Sequence, residues 1–312
     1  MGTGGGQSYL LGLVGHPVGH SLSPPMHRAA LAALGASGDY EVVDLEPAHL
    51  EPGVVELVGR GFTGFNVTIP HKQKMLSVCH DLTAEARRVR AVNTVRIESA
   101  GRLVGHNTDL GGFCQALNQV LPAGTRRNAA LILGSGGAAR AAAWALLEEG
   151  WPQIAVVARN TDRAGVLVEE IIATAGQVYG AGGLPRFHVA DTGLAGLAVL
   201  PELVVNCTAI GLGGEAVPEW LAQVLRWMDP EGLVFDMVYS RRGETTPLVR
   251  LCRQLRLRCC DGADMLARQA CLSFQFWTGQ AVPLAVFAAA LEAARLPDRS
   301  GLPSGGDRER LE

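Results

Sequence analysis

The chain has 312 residues, 48% of them hydrophobic and 18% charged, which is enough apolar material for two domains that share a cleft. Its net charge of −3 gives no basis for a nucleic-acid or anionic-membrane partner, and no unbroken apolar run of roughly 18 residues marks a membrane span. Seven scattered cysteines, with no C-x-x-C pair and no metal-type spacing, read as reduced thiols rather than as ligands or a disulfide framework. The leading MGTGGGQS lacks the basic and apolar regions of a signal peptide, so a cytoplasmic protein with a flexible leader is expected.

The first third alternates strands and helices. Leu10 to Val14 reads as a strand, residues 24–35 as a helix ended by Gly35, and Tyr40 to Leu45 and residues 62–69 as strands. In 92-VNTVRIESAGRLVGHN-107 two strand-like runs flank Ser99, Ala100 and Gly101 and predict a hairpin. With Ile97 facing Arg102, Asn93 falls opposite His106, and Asn93, Asn107 and Asp109 converge. A helix follows from Gly111, and Asp109 could serve as its N-cap. Strands at Ala129 to Leu133, Ile154 to Val157, Leu203 to Val205 and Leu233 to Phe235 then outline a second α/β unit. Met265 to Trp277 and Leu284 to Arg295 are helical, and a polar, disordered tail closes the chain.

The expected organisation is therefore α/β with two domains. The first α/β unit runs to about residue 110, a doubly wound unit follows from 111, and 296–312 form the tail.

The run 131-LILGSGGAARAAAWALLEEG-150 is a buried strand, a glycine turn and an alanine-rich helix. Gly134 permits the tight turn and Gly136 lets a pyrophosphate approach the backbone. Ser135, Gly137 and Ala138 open the helix, whose free N–H groups and dipole favour an anion. An NAD site usually carries a carboxylate at the end of the next strand, but here Ala158, Arg159 and Asn160 occupy that place. A guanidinium at Arg159, aided by Arg163, can hold a 2′-phosphate that a carboxylate would repel, which favours NADP over NAD.

Only two of the 27 basic residues are lysines, Lys72 and Lys74, and both lie in 65-FNVTIPHKQK-74. Arginine replaces lysine well as a surface charge and poorly where an amine must release its proton, so a surviving lysine is informative. Pro70 suits a first helical position, which would set Lys72 in the first turn, where the dipole opposes an ammonium while Asp109 favours it. His71 and Lys74 are expected to be bystanders.

Together 21-SLSPPMH-27, 66-NVTIPHK-72, 91-AVNT-94 and 105-GHNTDLGG-112 resemble the substrate domain of shikimate dehydrogenases. GSGGAAR at 134–140, NCTAIGL at 206–212, DMVY with TPL across 236–248 and GADMLARQACLSFQFWTG from Gly262 follow the same family's order, so the resemblance spans roughly residues 10–295. It implies reversible reduction of 3-dehydroshikimate to shikimate with NADPH, on the route to chorismate and the aromatic amino acids, by a monomer or homodimer that binds no metal. It further implies that residues 1–110 form a substrate-binding domain to which 250–295 return, that 111–249 form the Rossmann-type NADP-binding domain, that Lys72 and Asp109 form a catalytic pair and that Ser21 and Ser23 hold the substrate carboxylate. Asn66, Thr68, Asn93, Gln269 and Tyr239 would contact the substrate, and Thr208 and Met237 the cofactor. Ala158 and Asn160 depart from the family's Asn-Arg-Thr run, and Ser240, Arg241 and Arg242 depart in the loop after Tyr239. A quinate or quinate/shikimate dehydrogenase, including one that uses NAD, and a non-catalytic dinucleotide sensor on the same scaffold are the rival readings. The presence of both Lys72 and Asp109 argues against the sensor.

Overall fold

The computed structural model describes residues 8–296 apart from 20, 122–123, 181, 194–199 and 242. The expected leader, up to residue 7, and the expected tail, from 297, lie outside the described residues.

The first part of the chain runs β1 (Ser8–Gly15), α1 (Ser23–Leu34), β2 (Ser37–Asp44), α2 (Leu50–Gly59), β3 (Gly64–Val67), α3 (Met75–Val78), β4 (Asp81–Leu82), α4 (Ala84–Val89), β5 (Thr94–Ile97) and β6 (Leu103–His106). After α5 (Asp109–Val120) come β7 (Ala129–Leu133), α6 (Gly137–Glu148), β8 (Gln153–Val157), α7 (Thr161–Tyr179), β9 (Arg186–Ala190) and β10 (Leu203–Asn206). The rest is α8 (Glu219–Trp227), β11 (Leu233–Asp236), α9 (Pro247–Gln254), β12 (Arg258–Cys260), α10 (Ala263–Thr278) and α11 (Leu284–Arg295).

Two six-stranded sheets result. The first is mixed, in the order β2-β1-β3-β5-β6-β4, with β5 antiparallel to both β3 and β6. The second is wholly parallel, in the order β12-β11-β10-β7-β8-β9. That order reverses between β7 and β10, the switch point at which doubly wound sheets open a crevice for a ligand. Every residue of β7 is buried, as a central parallel strand covered on both faces requires. Helices α5, α6 and α7 cover one face of this sheet, while α8 and α9 cover the other. Helices α10 and α11 return to pack with α1 on the first sheet, where Trp277 Nε1 donates to Val95 O at 2.9 Å.

The hairpin differs from the expected register by one residue. Its loop holds only Ser99, Ala100 and Gly101, and Glu98 N–H donates to Arg102 O at 2.8 Å. Ala100 and Gly101 both adopt positive φ (59° and 75°), so the chain reverses within three residues. Ile97 therefore faces Leu103 and Thr94 faces His106. The short strands β4, β9 and β12 carry little apolar patterning and were not foreseen.

A histidine is sealed into the core between α1, β2 and the returning helices. His27 is fully buried, stacked on Tyr40 with ring centroids 4.5 Å apart, and enclosed by Phe274, Trp277 and Phe287. Neither ring nitrogen has a hydrogen-bond partner among the described residues. Burial drives its pKa down to about 3, and the nearby Asn66 offsets only part of that fall. Below its ordinary value of 6.5 the unfolded chain binds a proton that the folded chain refuses, so the stability this neutral ring permits is lost as the pH falls. Denaturant titrations should show the wild-type protein losing roughly 2 kcal/mol more than His27→Leu between pH 7.5 and pH 5. Equal losses would contradict the assignment of a buried neutral ring.

Candidate active site

The C-terminal ends of the parallel strands of both sheets face one cleft. From β1 the chain leads to Ser21 and Ser23, and from β3 to Thr68, Ile69 and Lys72. From β10 it leads to Cys207 and Thr208, and from β11 to Met237 and Tyr239. With Ala138 on α6 and Gln269 on α10 these residues line a cavity of about 290 Å³. Asn66, Asn93 and Asp109 complete its wall, so all nine residues expected to carry chemistry or bind substrate meet in this one place.

At the centre Lys72 Nζ donates to Asp109 Oδ2 at 2.6 Å, with side-chain exposures of only 15% and 7%. The other carboxylate oxygen, Oδ1, accepts from Asn93 Nδ2 at 2.8 Å. The environment of Lys72 corrects an expectation. Residues 70–74 form successive turns and α3 begins only at Met75, so Lys72 does not sit in the first turn of a helix of its own segment. Pro70, preceded by a cis peptide bond, is not a first helical residue. Packing holds the lysine instead. Val92 N–H donates to its carbonyl at 2.8 Å, and its stem lies over Gly137 at the start of α6. A Cβ at Gly137 would stand 3.1 Å from Lys72 Cδ and 3.2 Å from its Cβ, tighter than ordinary contact. Beside it, with the Gln73 amide oxygen turned toward α6, the buried Arg140 donates from Nε at 2.9 Å, and Arg140 also pairs with Glu170 at 2.6 Å.

Asp109 is the first residue of α5 and not its cap. The cap is Thr108, which makes no side-chain cap bond, while Asn107 Oδ1 accepts from Leu110 N–H at 3.1 Å. The Asp109 carboxylate is thereby left for Lys72 and Asn93. Asn107 also donates to Ala91 O at 2.9 Å and does not line the cavity, so of the expected trio only Asn93 and Asp109 meet there.

Behind the pair lies a buried web of short polar side chains. Asn93 Oδ1 accepts from Thr108 N–H at 2.7 Å and from Thr94 Oγ1 at 3.0 Å. Ser273 on α10 meets Thr94 at 2.8 Å and Thr108 at 3.0 Å, and accepts from Asn66 Nδ2 at 2.9 Å. Asn66 Oδ1 accepts from Tyr40 at 2.9 Å. Sequence reasoning passed over Tyr40, Thr94, Thr108 and Ser273, although Ser273 lies one helical turn beyond Gln269 and so on the same face of α10. His71 is buried against Leu45 O and Lys74 is an exposed partner of Glu51, and neither lines the cavity.

Across the cleft, Gly134 turns the chain out of β7 at φ 106°, a conformation that other residues rarely adopt. Gly136 caps α6 with no side chain satisfying the helix N–H groups, and the space where its Cβ would stand is open. An anionic diphosphate fits such a cradle. Ala138, Thr208 and Met237 line the cavity, whereas Gly134, Ser135, Gly136, Gly137, Arg159, Asn160 and Arg163 lie outside it, beyond the C-terminal ends of β7 and β8. Asn160 caps α7, accepting from Arg163 N–H at 2.8 Å. The guanidinium groups of Arg159 and Arg163 are exposed and have no ion pair among the described residues. Asp236 secures the loop of Met237 and Tyr239. Its buried carboxyl is pushed up to about 6 by desolvation, although it accepts from Asn206 at 2.8 Å, Thr246 at 2.7 Å and Val238 N–H at 3.1 Å. Burial also holds the Cys207 thiol protonated beside Lys72 and Asp109.

A mixed α/β sheet sharing a cleft with a doubly wound sheet, and a lysine–carboxylate pair set between them, define a two-domain dehydrogenase. The family described as Shikimate dehydrogenase substrate binding domain matches residues 13–95, and that described as Shikimate 5'-dehydrogenase C-terminal domain matches residues 262–292. The NADP(+) shikimate dehydrogenase of Microcystis aeruginosa is 38% identical over 289 residues, 92% of this chain and 97% of that protein. That of Rubrobacter xylanophilus is 40% identical over 277 residues, 88% and 92% of the two chains. Among solved structures, shikimate 5-dehydrogenase from Thermus thermophilus in complex with NADP(H) and shikimate matches with a TM-score of 0.73 and 35% identity, covering 92% of this chain and 99% of that one. Quinate dehydrogenase from Corynebacterium glutamicum in complex with NAD matches with a TM-score of 0.77 and 28% identity, covering 92% and 99%. The chain belongs to the shikimate dehydrogenase family.

The contact between Gly137 and Lys72 yields a test. Gly137→Ala should displace the lysine by a few tenths of an ångström and lower kcat roughly tenfold, a larger effect than any rise in KM for the dinucleotide whose diphosphate the same turn would receive. A rise in that KM at unchanged kcat would make Gly137 a cofactor contact alone.

Proposed function

We propose that the chain catalyses the reversible NADP-linked reduction of 3-dehydroshikimate to shikimate, a step toward chorismate and the aromatic amino acids. The observation that carries this reading is the Lys72–Asp109 pair, 2.6 Å apart, in a cavity lined by Ser21 and Ser23 and by Ala138 of the first turn of α6. The bound nicotinamide supplies or takes the hydride. The residues of the chain orient the substrate and move the proton that must reach or leave the same oxygen.

In this reading Ser21 and Ser23 receive the substrate carboxylate together with Tyr239. Asn66, Thr68, Asn93 and Gln269 face the ring hydroxyls, and Lys72 Nζ exchanges the proton while Asp109 holds it in position. The first turn of α6 would receive the diphosphate, and Arg159, assisted by Arg163, the 2′-phosphate. No carboxylate stands at residues 158–160 to favour an unphosphorylated ribose. The similarity to the quinate dehydrogenase supports a second reading, in which quinate and NAD are the substrates.

An absorbance assay with shikimate or quinate, each with NADP+ or NAD+, separates the two readings, and the fastest rate is expected for shikimate with NADP+. No turnover with any pair would contradict both. Lys72→Arg keeps the charge but cannot release a proton near neutrality, so kcat should fall at least ~100-fold while shikimate binding changes less. Arg159→Gln should raise KM for NADP+ roughly tenfold and leave KM for shikimate unchanged, and equal KM values for NADP+ would remove Arg159 from the site.

A further inference from the structure

Among the described residues, three charged side chains line the cavity: Lys72, Asp109 and Arg241. The first two neutralise one another at 2.6 Å. Arg241 is exposed and has neither an ion pair nor a hydrogen bond to its guanidinium among the described residues, so the cavity wall carries one uncompensated positive charge.

The loop that bears Arg241 leaves the second sheet but is fastened to the first. Tyr239 packs against the core formed by α1, α10 and α11, and Arg295 at the end of α11 donates from Nε to Ser240 O at 3.0 Å. Arg295 is itself fixed by Asp261 at 2.9 Å and Glu292 at 3.1 Å. The Tyr239 hydroxyl is held above its ordinary pKa by burial, and the charges of Arg241 and Arg295 partly offset that rise, which puts the Arg241 charge within electrostatic reach of the phenol. Arg241 thus lines the same cavity as Tyr239, Ser21 and Ser23, two residues along the chain from Tyr239.

Serine hydroxyls are neutral donors, whereas a carboxylate leaving water is held best by a charge-assisted, two-pronged guanidinium contact. We propose that Arg241 supplies the cationic partner for the carboxylate of the substrate, beside Ser21 and Ser23. This rests on the reading that the substrate is shikimate or a close carboxylated relative. The second sheet thus contributes a residue to substrate recognition as well as to the cofactor site, and the cleft selects for an anion.

The test is steady-state kinetics of the full-length wild type, Arg241→Gln and Arg241→Lys with shikimate and with its uncharged methyl ester. Arg241→Gln should raise KM for shikimate roughly tenfold, with kcat and KM for NADP+ changed no more than about twofold, and Arg241→Lys should recover part of the loss. The wild type should prefer the acid over the ester, and Arg241→Gln should lose most of that preference, which a merely structural arginine would not cause. An unchanged KM for shikimate, an undiminished preference for the acid, or a rise confined to KM for NADP+ would overturn the proposal. Wild-type turnover of shikimate separates the two claims, because its absence overturns the substrate reading and with it the partner assigned to Arg241.

Discussion

The ion pair between Lys72 and Asp109 is the interaction around which the cleft is arranged. Two charges with side-chain exposures of 15% and 7% lose most of their hydration, and removing one partner from such a pair typically costs about 3–5 kcal/mol. The arrangement holds because the second oxygen of the carboxylate and the amide behind it are both met. Asn93 satisfies the second carboxylate oxygen, and Thr94, Thr108, Ser273 and Asn66 satisfy Asn93 and one another. A web of this kind fixes rotamers as well as charges, so the ammonium stands at one position in the cavity rather than sampling several.

The same constraint explains why two separate sheets must meet here. Lys72 rises from the loop after β3, Asp109 opens α5, Ser273 and Gln269 come from a helix more than 150 residues later, and Gly137 of the second sheet lies beneath the lysine stem. Any rotation of one sheet against the other changes the contact between Gly137 and Lys72 and the link from Arg140 to Gln73. The cofactor side of the cleft is therefore coupled mechanically to the residue proposed to exchange the proton.

Much of this was legible in the sequence, for reasons that can be named. The strand–glycine–helix run at 131–150 has a local signature, since a tight turn and an open helix N-terminus need small residues at fixed offsets. Lys72 stood out because arginine replaces lysine almost everywhere else in the chain. What escaped was non-local or depended on exact turn length. A three-residue loop with two positive-φ residues shifted the hairpin by one, and the web joining Thr108 to Ser273 spans 165 positions that no local pattern connects. The helix expected at Pro70 failed because tertiary packing of residues 70–74, through Val92 and Gly137, displaced the local preference for a helix start.

The central claim is that Lys72 and Asp109 act as one unit on the proton. A double-mutant cycle on kcat with Lys72→Ala, Asp109→Asn and the combined variant tests it most directly. Residues that serve a single step are strongly non-additive, so the double variant should be no slower, within about threefold, than the slower single variant. Losses that multiply to the product of the two single effects would show independent roles and contradict the account.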